Sequence, residues 1–230
     1  DIVGGIEWAR TLTGDDVAKQ VEKGKSNFAG HEISGKTLGV VGLGAIGVNV
    51  ANAAYALGMK VLGYDPYISL KAGVVASRKK EMMSRSCEVS VTIPGRSSHI
   101  AKAATLDEIY EKCDIICLHV PLTDETKKFI NADSISKMKD GVILINDARG
   151  GLIVEEDLID ALNSGKVYAA GLDATAYDNG HHATPLMDCD NARITAHIAW
   201  FPMEARLRDI EIAALNLKNY LEGHPTSVIL

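Results

Sequence analysis

The chain is predicted to fold as an α/β domain built on a doubly wound parallel sheet, and three observations carry that prediction. An apolar run over 38–43 ends in closely spaced glycines and passes directly into a helical pattern over 45–57. Apolar runs of strand length recur at 61–64, 114–120, 142–146 and 167–172, with helical patterns between them at the spacing that favours parallel pairing. The run at 61–64 closes on an acidic residue, Asp65, about twenty positions past the glycines.

In chain order, residues 1–10 read as the tail of a helix interrupted by Gly4 and Gly5. Residues 15–25 form a polar helix with Thr13 or Asp15 as cap, and 28–36 are a loop. After Asp65 the signal thins: within 66–104 there is one β-like run, 88–93, ended by Pro94 and Gly95. Regularity returns at Thr105 with a helix over 106–110 and a strand over 114–120 closed by Pro121. Helices over 124–129 and 132–138, a strand over 142–146, a helix over 155–162 and a strand over 167–172 follow. A short strand at 193–195 and a last helical segment from 204 complete the order.

The glycines have separate physical reasons to lack a side chain. Gly42 permits the sharp turn out of the first strand, Gly44 lets a pyrophosphate approach the backbone, and Gly47 lets the helix pack on the strand. The helix then points its free N–H groups and the positive end of its dipole at the ligand. Asp65 is placed to accept hydrogen bonds from both ribose hydroxyls of an adenosine, and its charge would repel a 2′-phosphate, so NAD is expected over NADP. This Rossmann-like combination of strand, turn, helix and distal carboxylate is more specific than the glycines alone.

Composition bounds the function classes. Hydrophobic residues make up 47% and charged residues 23% of 230, an ordinary globular balance. The 24 basic and 30 acidic side chains give a net charge of −6, and the densest basic run is only Arg78, Lys79 and Lys80, so nucleic acid is not an expected partner. The apolar stretch around the glycines is interrupted by Asn49 and Asn52 and changes period midway, which argues against a membrane span. Cys87, Cys113, Cys117 and Cys189 show no metal-ligand spacing, so no metal is expected, and they read as reduced thiols of a cytoplasmic protein. The chain opens on Asp1 and shows no targeting segment, which predicts a fragment or a processed chain.

In a doubly wound sheet the ligand lies across the carboxyl ends of the strands. That rule selects the residues just past each run: Gly42 to Gly47, Asp65, Val120 and Pro121, Asp147 to Gly150, Asp173 and His197. Taken singly, an arginine in a loop is more often a structural ion-pair partner, and a histidine more often a satisfied buried ring, than a catalytic group.

Five segments, VGLGAIG, LHVPLTDETK, INDARGGLIVEEDLIDAL, AGLDA and ITAHIAW, resemble in order the motifs of the D-2-hydroxyacid dehydrogenases, with the phosphoglycerate dehydrogenase branch as the nearest in pattern. The resemblance implies that Arg149 holds the carboxylate and carbonyl oxygen of a small 2-hydroxy or 2-oxo acid and that His197 is the catalytic histidine. It places Asp173 near the nicotinamide carboxamide and Ala45, Ile46, Val120, Thr126 and Asp147 at cofactor contacts. Where the family has a glutamate paired with its histidine, this chain has Asp178, with Asn179 in place of the following proline and Ala196 in place of the proline before His197.

These residue types suit the chemistry. A guanidinium grips a carboxylate through two parallel bonds, and an imidazole near neutral pKa can give a proton to a carbonyl that receives hydride. Members of the family it resembles carry a separate substrate-binding lobe, which this chain is expected to lack; it is expected to be a single NAD-binding domain over 1–230, with its core at about 30–203 and a return helix over 204–230. The expected behaviour is NAD binding with little turnover, in a homodimer formed partly through 2–8. A second expectation, from another class, is a non-catalytic interaction module that responds to NAD.

Overall fold

A computed structural model describes residues 2–67, 100–175 and 184–226. Its contacts divide the chain into two compact units, Asp1–Ser34 and Gly35–Leu230.

In the first unit, α1 (Ile2–Thr11) runs unbroken through Gly4 and Gly5, where the sequence suggested an interruption. The side chain that Gly5 lacks makes room for an aromatic ring, since a Cβ there would stand 3.4 Å from Phe28 Cγ. The Trp8 and Phe28 rings lie 5.1 Å apart and hold this small unit together. α2 (Val17–Gly24) starts two residues later than expected, with Asp16 at its N-cap and the Asp16 carboxylate accepting from Gln20 Nε2 at 2.6 Å.

The second unit is the doubly wound sheet. β1 (Thr37–Val41) leads through the glycine turn into α3 (Ala45–Ala56), and β2 (Lys60–Tyr64) follows. β3 (Ile100–Lys102), α4 (Leu106–Lys112), β4 (Ile115–Leu118), α5 (Ala132–Lys137) and β5 (Val142–Asn146) continue the alternation. α6 (Glu155–Ser164), β6 (Val167–Leu172), β7 (Ala192–Ile194) and α7 (Met203–Leu221) complete it. All pairings are parallel, in the order β3-β2-β1-β4-β5-β6-β7, so the winding reverses between β1 and β4.

One strand was not expected, and one expected helix does not form. β3 was not read from the sequence; the run at 88–93 lies outside the described residues. No helix forms over 124–129, because the Thr123 and Thr126 hydroxyls bond the local backbone instead, including Thr126 Oγ1 to the Pro121 carbonyl at 2.6 Å, and Lys128 turns to φ +56°.

Alternation along the strands sends neighbouring residues to opposite faces, each with its own core. Leu38, Val40, Val61, Ile115 and Cys117 pack with Val48, Ala51 and Ala54 of α3. Val41, Ile116, Leu118, Leu144 and Leu172 pack with Ile109, Ile135, Leu158 and Leu162 from α4, α5 and α6. α7 buries none of its side chains within this unit, and no described helix is long and apolar enough to cross a membrane.

Candidate active site

The carboxyl edge of the sheet is in register across six strands. Tyr64, Val41, Leu118, Asn146, Leu172 and Ile194 form the last shared rung. One residue further stand Asp65, Gly42, His119, Asp147, Asp173 and Thr195. Four of them prolong the ladder: the N–H groups of Gly42, His119, Asp173 and Thr195 donate to the carbonyls of Tyr64, Val41, Asn146 and Leu172 at 2.7–3.0 Å. Side chains on one rung of a parallel sheet leave the same face, so these groups form a row that no single sequence motif contains.

The glycine turn fits a dinucleotide. Gly42 has φ +93°, and a Cβ there would lie 2.6 Å from the His119 carbonyl oxygen. A Cβ on Gly47 would lie 1.9 Å from the Gly42 carbonyl oxygen, so α3 can reach this close to β1 only with glycine at that position. A Cβ on Gly44 would meet nothing within 4 Å, which makes this the open point of the turn, where a pyrophosphate can approach the backbone. The first helical bond runs from Val48 N–H to the Gly44 carbonyl at 3.1 Å, so the N–H groups of Ala45, Ile46 and Gly47 head the helix. Ile46 is 68% exposed there, an apolar surface beside the anion-binding end.

Asp65 is fixed by that same turn. Its Oδ2 accepts from the Leu43 N–H and its Oδ1 from the Tyr67 N–H, both at 2.9 Å. Each carboxylate oxygen has a second lone pair, so this anchoring leaves acceptors for the two ribose hydroxyls. On the far side of β1, Val120 packs against the core, Pro121 is exposed, and Thr126 holds the Pro121 carbonyl.

Two further loops carry Arg149 and His197, and each is tied down by a buried polar residue. Asn146, with no exposed surface, accepts from the Ala148 N–H at 3.1 Å and donates to the Arg149 carbonyl at 2.9 Å, which sets the path of the loop that presents Arg149 to solvent. Asp173, 5% exposed, accepts from the Thr195 hydroxyl and from the Ile198 and Ala199 N–H groups. Those bonds bracket His197, which is exposed and held at φ +56°. Burial pushes the Asp173 carboxyl up, but the bonds from Thr195, Ala199 and Ile198, together with the charge of His197, outweigh it and hold it below the usual carboxylate range.

Arg149 and His197 thus share the carboxyl edge with the glycine turn, on strands β5 and β7 that stand two spacings apart, ~10 Å. Asp178 lies outside the described residues. Sequence reasoning missed Asn146 as the anchor of the Arg149 loop, and it missed His119. His119 Nε2 is enclosed without a hydrogen-bond partner, an arrangement that costs about 1–3 kcal/mol unless something else offsets it. Burial pushes the imidazole pKa down while Asp147 opposes that shift. Partial desolvation pushes the Asp147 carboxyl up, His119 pulls it down and Asp173 pushes it up. The linear pattern selects Asp147 and Asp173 as strand-end residues, but only the register brings His119 beside them, so that grouping has no sign in the sequence.

Comparison with known proteins agrees with this geometry. The sequence profile of the NAD-binding domain of D-isomer specific 2-hydroxyacid dehydrogenases matches residues 6–100 and 95–199. A hydroxypyruvate reductase of Blautia hydrogenotrophica is 41% identical over 198 residues, covering 86% of this chain and 54% of that protein. A D-3-phosphoglycerate dehydrogenase of Archaeoglobus fulgidus is 38% identical over 210 residues, covering 90% of this chain and 36% of that one. The chain therefore spans between about a third and a half of the length of these relatives. Among solved structures, the NAD-complexed D-isomer specific 2-hydroxyacid dehydrogenase of Lactobacillus delbrueckii ssp. bulgaricus superposes with a TM-score of 0.70 at 26% identity, over 89% of this chain and 58% of that one. With a carboxyl edge built for a dinucleotide and a family profile that matches most of its length, the chain belongs to the D-isomer specific 2-hydroxyacid dehydrogenases, of which it supplies the NAD-binding domain.

Proposed function

We propose that this chain binds NAD for an enzyme that passes hydride between that cofactor and a small 2-hydroxy or 2-oxo acid, of the phosphoglycerate dehydrogenase-like kind. The observation that carries the reading is the placement of Asp65, Gly44, Arg149 and His197 along one edge, with the adenosine end at β2 and the reactive groups at β5 and β7. When bound, the cofactor supplies the hydride acceptor and donor. Ala45, Ile46 and Gly47 meet the pyrophosphate with backbone N–H groups, and Asp65 binds the ribose. Val120, Pro121, Thr126, Asp147 and Asp173 line the path toward the nicotinamide.

The protein groups then divide the remaining work. The Arg149 guanidinium holds the substrate carboxylate and polarises the adjacent carbonyl oxygen. The His197 imidazole gives that oxygen its proton during reduction and takes it back during oxidation. Asp178 is proposed to orient His197 in the place of the family glutamate.

On this reading residues 1–230 are a single NAD-binding domain that binds NAD with little turnover alone, because a cleft that positions substrate and excludes water needs two walls. The chain forms a homodimer to which exposed Val3 and Ile6 of α1 contribute contacts, in a cytoplasmic setting. The test is titration of NADH fluorescence against the chain and against Asp65→Ala. Saturable enhancement that weakens at least tenfold in Asp65→Ala is expected; equal signals from the two proteins would remove the adenosine site. Light scattering that reports only a monomer would remove the dimer.

A further inference from the structure

Asp147 lies on the path toward the nicotinamide, and His119 takes no part in the hydride transfer. The two are neighbours one step beyond the Leu118 and Asn146 pair, so their side chains leave the same face of the sheet. On the other side of His119 stands Gly42, which brings no side chain. The imidazole Nε2 is enclosed and unpartnered, whereas Asp147 is open to solvent at the edge. From Asp65 on β2 to Asp147 on β5 is three strand spacings, ~14 Å, about the reach of an extended dinucleotide. A nucleotide whose adenosine lies at Asp65 therefore brings its nicotinamide to β5.

Resting on the reading that the chain binds NAD, we propose that Asp147, backed by His119, is a specificity-determining residue that selects the oxidation state of the cofactor. The oxidised nicotinamide ring carries a positive charge and the reduced ring carries none. A carboxylate at the ring end attracts the first and has no net charge to attract in the second. His119 makes this selection depend on pH. With a neutral imidazole the pair carries one negative charge; with a protonated imidazole it is neutral, and its attraction for the cationic ring is lost.

The groups that act on the pair among the described residues are few. Asp147 is the charge that acts on His119, and His119 and Asp173 are those that act on Asp147; Cys117, two residues before His119, is a buried thiol that Asp147 influences. Burial pushes the His119 pKa below its ordinary 6.5, so the preference for NAD+ is present above that lowered pKa and disappears as the pH falls through it.

The test is calorimetric titration of the full chain with NAD+ and with NADH between about pH 5.5 and 8, for the unsubstituted protein, Asp147→Asn and His119→Gln. The expected result at the upper end is a shift of about tenfold toward NADH in Asp147→Asn. The unsubstituted protein loses its NAD+ preference as the pH falls, and His119→Gln moves that loss down toward the carboxylate range. NMR titration of the nucleotide-free histidine rings adds a readout independent of binding: the His119 midpoint lies below the ordinary value and drops further in Asp147→Asn. An unchanged NAD+/NADH ratio in Asp147→Asn would overturn the selection, and a His119 midpoint indifferent to that substitution would overturn the pairing. If neither nucleotide binds the unsubstituted chain, the NAD reading itself fails and this inference fails with it.

Discussion

Asp173 holds the main chain that carries His197: its carboxylate accepts from the N–H groups of Ile198 and Ala199 at 2.9 Å each, while the Thr195 hydroxyl donates from the other side. A buried carboxylate used this way keeps a histidine at φ +56°, a conformation that costs about 1 kcal/mol or more and needs such support. In Asp173→Ala the Ile198 and Ala199 amides should lose their protection in hydrogen exchange. Exchange rates equal to those of the unsubstituted chain would show that the loop is held by something else.

The same carboxylate makes acid stability predictable. Its folded-state pKa is lowered from 3.8, so the stabilisation is fully present above that value and is lost as the pH falls through the lower folded value. The urea midpoint should therefore drop between about pH 5 and pH 2 more steeply in the unsubstituted chain than in Asp173→Asn. Parallel profiles would remove Asp173 from the acid transition.

Gly47 and Gly44 should separate folding from binding. Gly47→Ala forces a methyl to within 1.9 Å of a backbone oxygen, so α3 must move off β1 and stability should fall by about 3 kcal/mol or more. Gly44→Ala meets open space at φ −68°, so its melting temperature should change little while NADH affinity falls, because the methyl occupies the phosphate approach. Unchanged NADH affinity in Gly44→Ala would place the phosphates elsewhere.

Asn146→Ala should cost about 1–3 kcal/mol of stability, since it strips partners from the Ala148 N–H and the Arg149 carbonyl at a site with no exposed surface. Chemical denaturation measures this directly. Asn146→Asp keeps the acceptor for the Ala148 N–H but turns a carboxylate oxygen toward the Arg149 carbonyl at a buried site, so at neutral pH it should be no more stable than Asn146→Ala.

The thiols of Cys113 and Cys117 are pushed up to about 12 by burial, so neither should react with iodoacetamide in the folded chain at pH 8, and both should react once urea unfolds it. Mass spectrometry of peptides after brief labelling reads this out. Fast labelling of Cys117 in native buffer would contradict the packing of β1 against β4.

What could be read from the sequence follows from the range of the interactions. The β1, α3 and β2 succession shows itself because its glycines, its strand period and Asp65 are all local signals. The apparent helix at 124–129 had helical composition, but side-chain bonds from Thr123 and Thr126 captured the backbone first. β3 has three residues and depends on pairing with β2, so its own pattern is too short to register. Asp65, Asp147 and Asp173 were each picked out as strand-end residues, yet their alignment with His119 exists only once the strands are paired. The roles of Asn146 and Asp173 as anchors likewise depend on which backbone groups the folded loops bring to them.

A row assembled from six strands constrains the gene as well as the protein. Lengthening any one strand by a single codon before its final residue would turn that strand's contribution over to the opposite side of the sheet, with the other five unmoved. Segments beyond the row are under no such restriction, so insertions and deletions should be absorbed there and rejected between the start of each strand and the row.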